Sequence, residues 1–226
     1  MTILVAVLAV LAFVKWGGLG PTAKKTSTVP TTSHGASAAV LHLSDLPRGW
    51  HQSSAASSSL QVADAAAAGC EGLQLPAASE IVAQVGSPDF VSASSSLAVA
   101  TDTVAYRTPS SPLQVLNMYE MNSYPNCLAK SYESQSNGTT TVSAVTVSVG
   151  AAPQGVLLPD SRNVSVTFDV TQPGESPAPY AVDIVVMGSG PLVSAVEVEN
   201  QGSSVPSALL SGLATTLSHR LSSAAG

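Results

Sequence analysis

The residues with chemical potential are few, and most of them are acids. Glu197 and Glu199 stand two positions apart in an apolar run, so a strand there would aim both carboxylates at one face. Asp169 and Asp183 fall on neighbouring strand-like runs. Two carboxylates sharing a face are what acid/base glycoside hydrolysis uses, and they can also bind a cation. Acids on the wet face of a sheet are far commoner, and this is the structural alternative. His42 and His51 flank Asp45, with which either could pair, and His219 sits near the end of the chain. No Gly-x-Ser-x-Gly turn is present to seat a serine nucleophile. The four histidines show no metal-ligand spacing, so neither a metal nor a cofactor is expected.

Cys70 and Cys127 are the only cysteines, and neither belongs to a Cys-x-x-Cys pair. In an exported chain the default for such a pair is a disulfide, and in a cytosolic one it is two buried thiols.

The N-terminus bears on that choice. Residues 2–14 are an unbroken apolar run followed by Lys15. A full membrane span takes about 20 residues and a signal-peptide core about 7 to 15. Residues 1–19 are therefore read as a membrane anchor or signal segment, with cleavage left open. Residues 20–38 are rich in Thr, Ser, Pro and Gly and read as a disordered spacer. Residues 39–226 remain as a single extracytoplasmic domain.

Composition narrows the partners. All fourteen acidic residues lie at or after Asp45, against five of the eight basic ones, which leaves that region at a net charge of −9. A nucleic-acid binder needs a basic face, so nucleic acid is excluded as a partner. The expected partners are a small ligand or an envelope protein, with the membrane engaged through the N-terminal segment.

The elements that must position these groups follow from periodicity. An alanine-rich helix is expected over residues 60–73, carrying Cys70 near its end. A strand is expected over 97–107, although its alternation breaks in the middle. Ser110-Ser111-Pro112 is a helix start, and a second short helix after Tyr124-Pro125 would carry Cys127. Beyond Asn137-Gly138 come four alternating runs, marked by Val142–Val149, Val164–Val170, Tyr180–Val186 and Val193–Val198. Gly188-Ser189-Gly190-Pro191 joins the last two, and a helix over 204–221 closes the chain. The fold class is α+β, a twisted antiparallel sheet of about five strands with helices mainly on one face.

The order of several short motifs carries a resemblance. Leu43-Ser44-Asp45-Leu46-Pro47-Arg48-Gly49-Trp50, then Cys70-Glu71-Gly72-Leu73, Ser87-Pro88-Asp89-Phe90 and Tyr124-Pro125-Asn126-Cys127-Leu128 are similar to the pattern of a broad group of actinobacterial exported proteins. That group resembles the extracellular sensor-type domain of receptor serine/threonine kinases and lipoproteins of the Mog1/PsbP-like fold. The resemblance implies an exported α+β domain with a disulfide, a shallow cleft and no catalysis, and it supplies no catalytic residues. On it, Trp50 either closes the edge of the core after a Pro-x-Gly turn or lines a cleft, with Phe90 and Tyr106 as further cleft candidates. The functional expectation is a non-enzymatic, sensor-like envelope domain, membrane-tethered or secreted, that binds a small ligand. The alternatives are a scaffold that meets a protein partner through its sheet face, and a hydrolase built on the carboxylates.

Overall fold

The computed structural model describes residues 30–53, 67–70, 72, 75–93 and 97–225. Their strands are β1 (Trp50–Gln52), β2 (Ile81–Gly86), β3 (Phe90–Ser92), β4 (Leu97–Tyr106), β5 (Thr141–Ala151), β6 (Arg162–Thr171), β7 (Ala178–Ser189) and β8 (Leu192–Asn200). The helices are α1 (Pro30–Ala38), α2 (Ser110–Met118), α3 (Tyr124–Glu133) and α4 (Ser207–Ala225), with a further helical turn at 67–70. The apolar run 2–14 and most of the alanine-rich helix expected over 60–73 lie outside the described residues. Among the described residues, no helix is long and apolar enough to cross a membrane.

All strands join one antiparallel sheet in the order β1-β3-β4-β8-β7-β6-β5, with β2 also paired to β4. The α+β class stands, but the sheet has eight strands rather than about five. The expected strands after Asn137 are all present. The additional ones are β1 and the β2/β3 pair, which are too short or too irregular to show alternation. β2 and β3 both pair with β4 and are separated by Ser87-Pro88-Asp89. Pro88 has no N–H to give a ladder. At this break Ser87 N–H bonds Thr101 O at 2.8 Å, and Thr101 N–H bonds Ser87 Oγ at 2.9 Å, so the serine side chain continues the ladder.

The helices occupy both faces, which corrects the single-faced expectation. On the first face α2, α3 and the turn at 67–70 cover Val164, Val166, Phe168, Val182, Ile184 and Val186. On the second, α1 and α4 cover Val99, Val185, Met187, Val196 and Val198. β7 and β8 are apolar at successive positions, as in Val185-Val186-Met187 and Val196, Val198 against Val193, Ala195. A strand buried on both sides reads as a continuous apolar run, and alternation on one parity hides the other.

Residues 30–38, expected as spacer, are helical and dock on α4, β2 and β4. Gly35 and Ala36 are buried there, and Gly35 sits so close to the end of α4 that an added Cβ would lie 3.1 Å from Ala224 O. Small residues let the two backbones meet; the same Ser/Gly/Ala composition in the sequence resembles a linker.

After α1 the main chain crosses the second face through residues 39–41 without regular structure. Ala39, Val40 and Leu41 are buried, so their main-chain polar groups need partners within the protein. Thr103 Oγ1 donates to Ala39 O at 2.8 Å and meets Ser194 Oγ at 2.8 Å, while Leu41 N–H donates to Thr101 Oγ1 at 3.1 Å. Thr101, Thr103 and Ser194 are all buried, and these polar residues at inward positions account for the broken alternation of β4. Arg220 of α4 then clamps the segment by donating to Val40 O and to Asp45 Oδ1, the latter at 2.7 Å.

The turn into β1 is made by Gly49, whose φ of +93° disfavours any side chain. Ala93 N–H bonds Gly49 O at 3.0 Å, continuing the β1–β3 pairing one position beyond Trp50 and Ser92. Thr103→Val, isosteric but unable to donate, leaves the buried Ala39 carbonyl with only the longer Ser194 bond. Chemical denaturation should show a loss of about 1–3 kcal/mol, whereas Thr103→Ser should retain most of the stability.

Candidate functional site

The carboxylates divide between the two faces. Glu197 and Glu199 of β8 stand opposite Ile184 and Val182 of β7, which belong to the first core. Residues directly opposed in an antiparallel pair share a face, so both acids point to the first face. Asp183 stands opposite Val198, a second-core residue, and points the other way. Glu197 and Glu199 thus share a face as their spacing predicts, while Asp183 is on the opposite side of the sheet from both. Asp169 shares the second face with Asp183 but lies opposite Pro179, four positions along β7 from it. That is about 13 Å of strand. Asp183 accepts a hydrogen bond from Ser165 instead.

A third acid joins Glu197 and Glu199. Asp102 of β4 lies opposite Ala195, next to the pairs Ala100–Glu197 and Ala98–Glu199. It shares the parity of Val104 and Tyr106, which face the first core. The result is a strip of three carboxylates over a floor of Ala98, Ala100 and Ala195. The strip is partly buried between β7 and β4. Glu197 is buried at 7% exposure, and Gln84 Nε2 donates to Asp102 Oδ2 at 2.9 Å.

Burial pushes the Asp102 carboxyl above its ordinary value of 3.8, against the lowering effect of the Gln84 bond. At one end of the strip Tyr180 is also pushed up, first by burial and then by the negative charge of Glu199. Tyr180 stacks on Phe168 with centroids 5.7 Å apart, and Phe168 meets Tyr132 of α3 at 5.3 Å. An aromatic row thus runs from α3 to the carboxylates. Such a strip can accept hydrogen bonds from amines or hydroxyls and offers an aromatic face beside them.

The three aromatic candidates for a cleft are separated. Trp50 is half-buried on β1 and packs against the second core, where Phe90 is almost fully enclosed. Tyr106 is buried in the first core. Trp50 and Phe90 are close in the fold, since Trp50 pairs with Ser92 and Gln52 with Phe90, but Tyr106 is on the other face. Trp50 follows the Gly49 turn at the edge of the sheet.

His42, His51 and His219 are exposed. Asp45, which either His42 or His51 could have used, is taken by Arg220 and by the backbone N–H of His42 at 2.6 Å. Among the described residues, no group of three or more His, Cys, Asp or Glu is placed to hold a metal ion. Cys70 and Cys127 are bonded to each other, with Cα atoms 5.7 Å apart, and tie the turn at 67–70 to α3 above the first face.

Asp102 was not singled out in the sequence, because it stands where the alternation of β4 breaks. Only its pairing with β8 brings it beside Glu197 and Glu199.

Neither a protein-family model nor a curated protein matches the chain. Among solved structures it is similar to the extracellular domain of PknH from Mycobacterium tuberculosis. The two are 14% identical over 86% of this chain and 96% of that one, at a TM-score of 0.38. At that identity and overlap no residue assignment passes from one to the other.

The raised Asp102 fixes the sign of a pH effect. The folded protein holds this proton to higher pH than the unfolded chain, so its contribution is greatest below 3.8 and is lost as pH rises through the folded value. Asp102→Asn removes that loss while keeping an acceptor for Gln84. The melting temperature of the variant should therefore gain on the wild type with rising pH across this window. A constant difference would show that Asp102 is not buried as described.

Proposed function

We propose that this chain is a non-enzymatic domain on the outer side of the cell membrane, tethered or secreted, that binds a small ligand. The observation that carries this reading is the Cys70–Cys127 disulfide. Disulfides persist in oxidising compartments and are rare in the cytosol. The bond also has a clear task, since it fastens the turn at 67–70 to α3 over the first core.

The carboxylate strip supports the binding half of the proposal. Asp102, Glu197 and Glu199, with Tyr180 at one end, suit a cationic or hydroxyl-rich molecule better than an anionic or apolar one. Asp183 stands on the opposite face from Glu197 and so takes no part in this strip.

Native mass spectrometry of the protein exported into an oxidising compartment tests the ligand. A retained mass that disappears in Glu199→Gln is the expected result. A bare wild-type chain, oxidised and folded, would overturn the ligand reading in favour of a protein partner. For the disulfide, Cys127→Ser opens a loop of 57 residues. It should cost about 4 kcal/mol in the chain-entropy account, read by denaturant melts of oxidised wild type and variant. Equal stability of the two would remove the bond as a support of the fold.

A further inference from the structure

The two edges of the sheet are treated differently. At one edge β1 has three residues, β2 and β3 are split around Pro88, and the register slips between Ile81 and Ala83. These are devices that stop another strand from adding on. At the other edge β5 has eleven residues and, among the described residues, pairs with β6 alone. Its first part is blunted, because Ser136 Oγ accepts from Val142 N–H at 2.9 Å and Ala144 bulges at a φ of +53°. From Val145 onward, among the described residues, no bulge, proline or side-chain hydrogen bond guards it.

The composition of this edge is unusual for the chain. Every residue from Ser134 to Pro159 is uncharged, in a protein whose net charge is −6. β5 contains neither lysine nor proline, the usual guards of a free edge. Its side chains alternate in a regular way. Val145, Val147 and Val149 face the first core but stay half-exposed, while Thr146 and Ser148 are exposed on the second face.

We propose that β5 pairs with β5 of a second copy of this chain, antiparallel across a two-fold axis through Val147. In that register Val147 meets its own symmetry mate, Val145 meets Val149, and Thr146 meets Ser148. Each face then continues its own chemistry, with valine beside valine and hydroxyl beside hydroxyl. The pairing extends the sheet, covers the half-exposed valines and gives partners to the main-chain groups that, among the described residues, face away from β6. It is isologous, so it closes at two copies. The lack of charge favours this occupant, since two acidic chains meet here without repulsion. The pairing does not depend on the proposed ligand site.

Single cysteines placed in the full-length exported chain test the register. Val147→Cys should give a covalent dimer under mild oxidation in intact cells. Ser143→Cys, which lies before the bulge, should stay monomeric. Light scattering of the purified full-length wild type should return twice the chain mass, and Ser148→Lys, an exposed position, should return a monomer with an unchanged circular dichroism spectrum. A monomeric wild type, a dimer that survives Ser148→Lys, or equal crosslinking at positions 143 and 147 would overturn the proposal. Pairing of β5 with a different protein, or with the N-terminal residues of its own chain, would appear as the first of these outcomes.

Discussion

The structure depends on burying the three central strands, β4, β8 and β7, on both sides at once. An antiparallel sheet can leave one face wet, but here Val185 and Val186, adjacent in sequence, are both enclosed by opposite helical layers. Dry layers on both sides exclude water from any irregular backbone that crosses them. Residues 39–41 make such a crossing, and Thr101, Thr103 and Ser194 exist in the interior to satisfy it. Each hydroxyl would be costly alone, and together they fix where the N-terminal segment can lie. Arg220 extends the same clamp to Asp45.

The double burial also explains why the acids divide as they do. A strand alternates its side chains between two faces, so neighbouring acids such as Glu197 and Glu199 stay together only when two positions apart. Asp183, on the adjacent strand, falls at the opposite parity and joins a polar row with Ser165 and Asn163 on the second face. The helices of each layer do not reach the whole sheet. On the first face Asp102, Glu197 and Glu199 stand over Ala98, Ala100 and Ala195, with Glu197 and Ala195 buried and Asp102 and Glu199 partly exposed. On the second the uncovered part is the hydroxyl-rich surface of β5 and β6. Two chemically distinct surfaces thus arise from one sheet and are set by where the helices end.

The disulfide lies on the first face as well. It joins α3 to a turn far back in sequence and holds it over the core. The aromatic row of Tyr132, Phe168 and Tyr180 connects that same helix to the acidic strip. Covalent fastening and aromatic packing therefore both hold α3 on the first face, which also carries the three acids.

Local chemistry in the sequence was enough to determine β5 to β8, the Gly190-Pro191 connection, α2 with its Ser-Pro start, α3 and α4, because each carries its own periodicity or cap. It also determined that Glu197 and Glu199 share a face, since a spacing of two needs no tertiary information. The tertiary structure alone decided the rest. Whether residues 30–38 are spacer or helix depended on a close approach to α4 that small residues permit but do not announce. The number of strands depended on β2 and β3, which exist as strands only through pairing with β4. Asp102 joined the acids, and Asp183 left them, through register between strands far apart in the chain. Register is a property of pairs, and a single strand's sequence does not contain it.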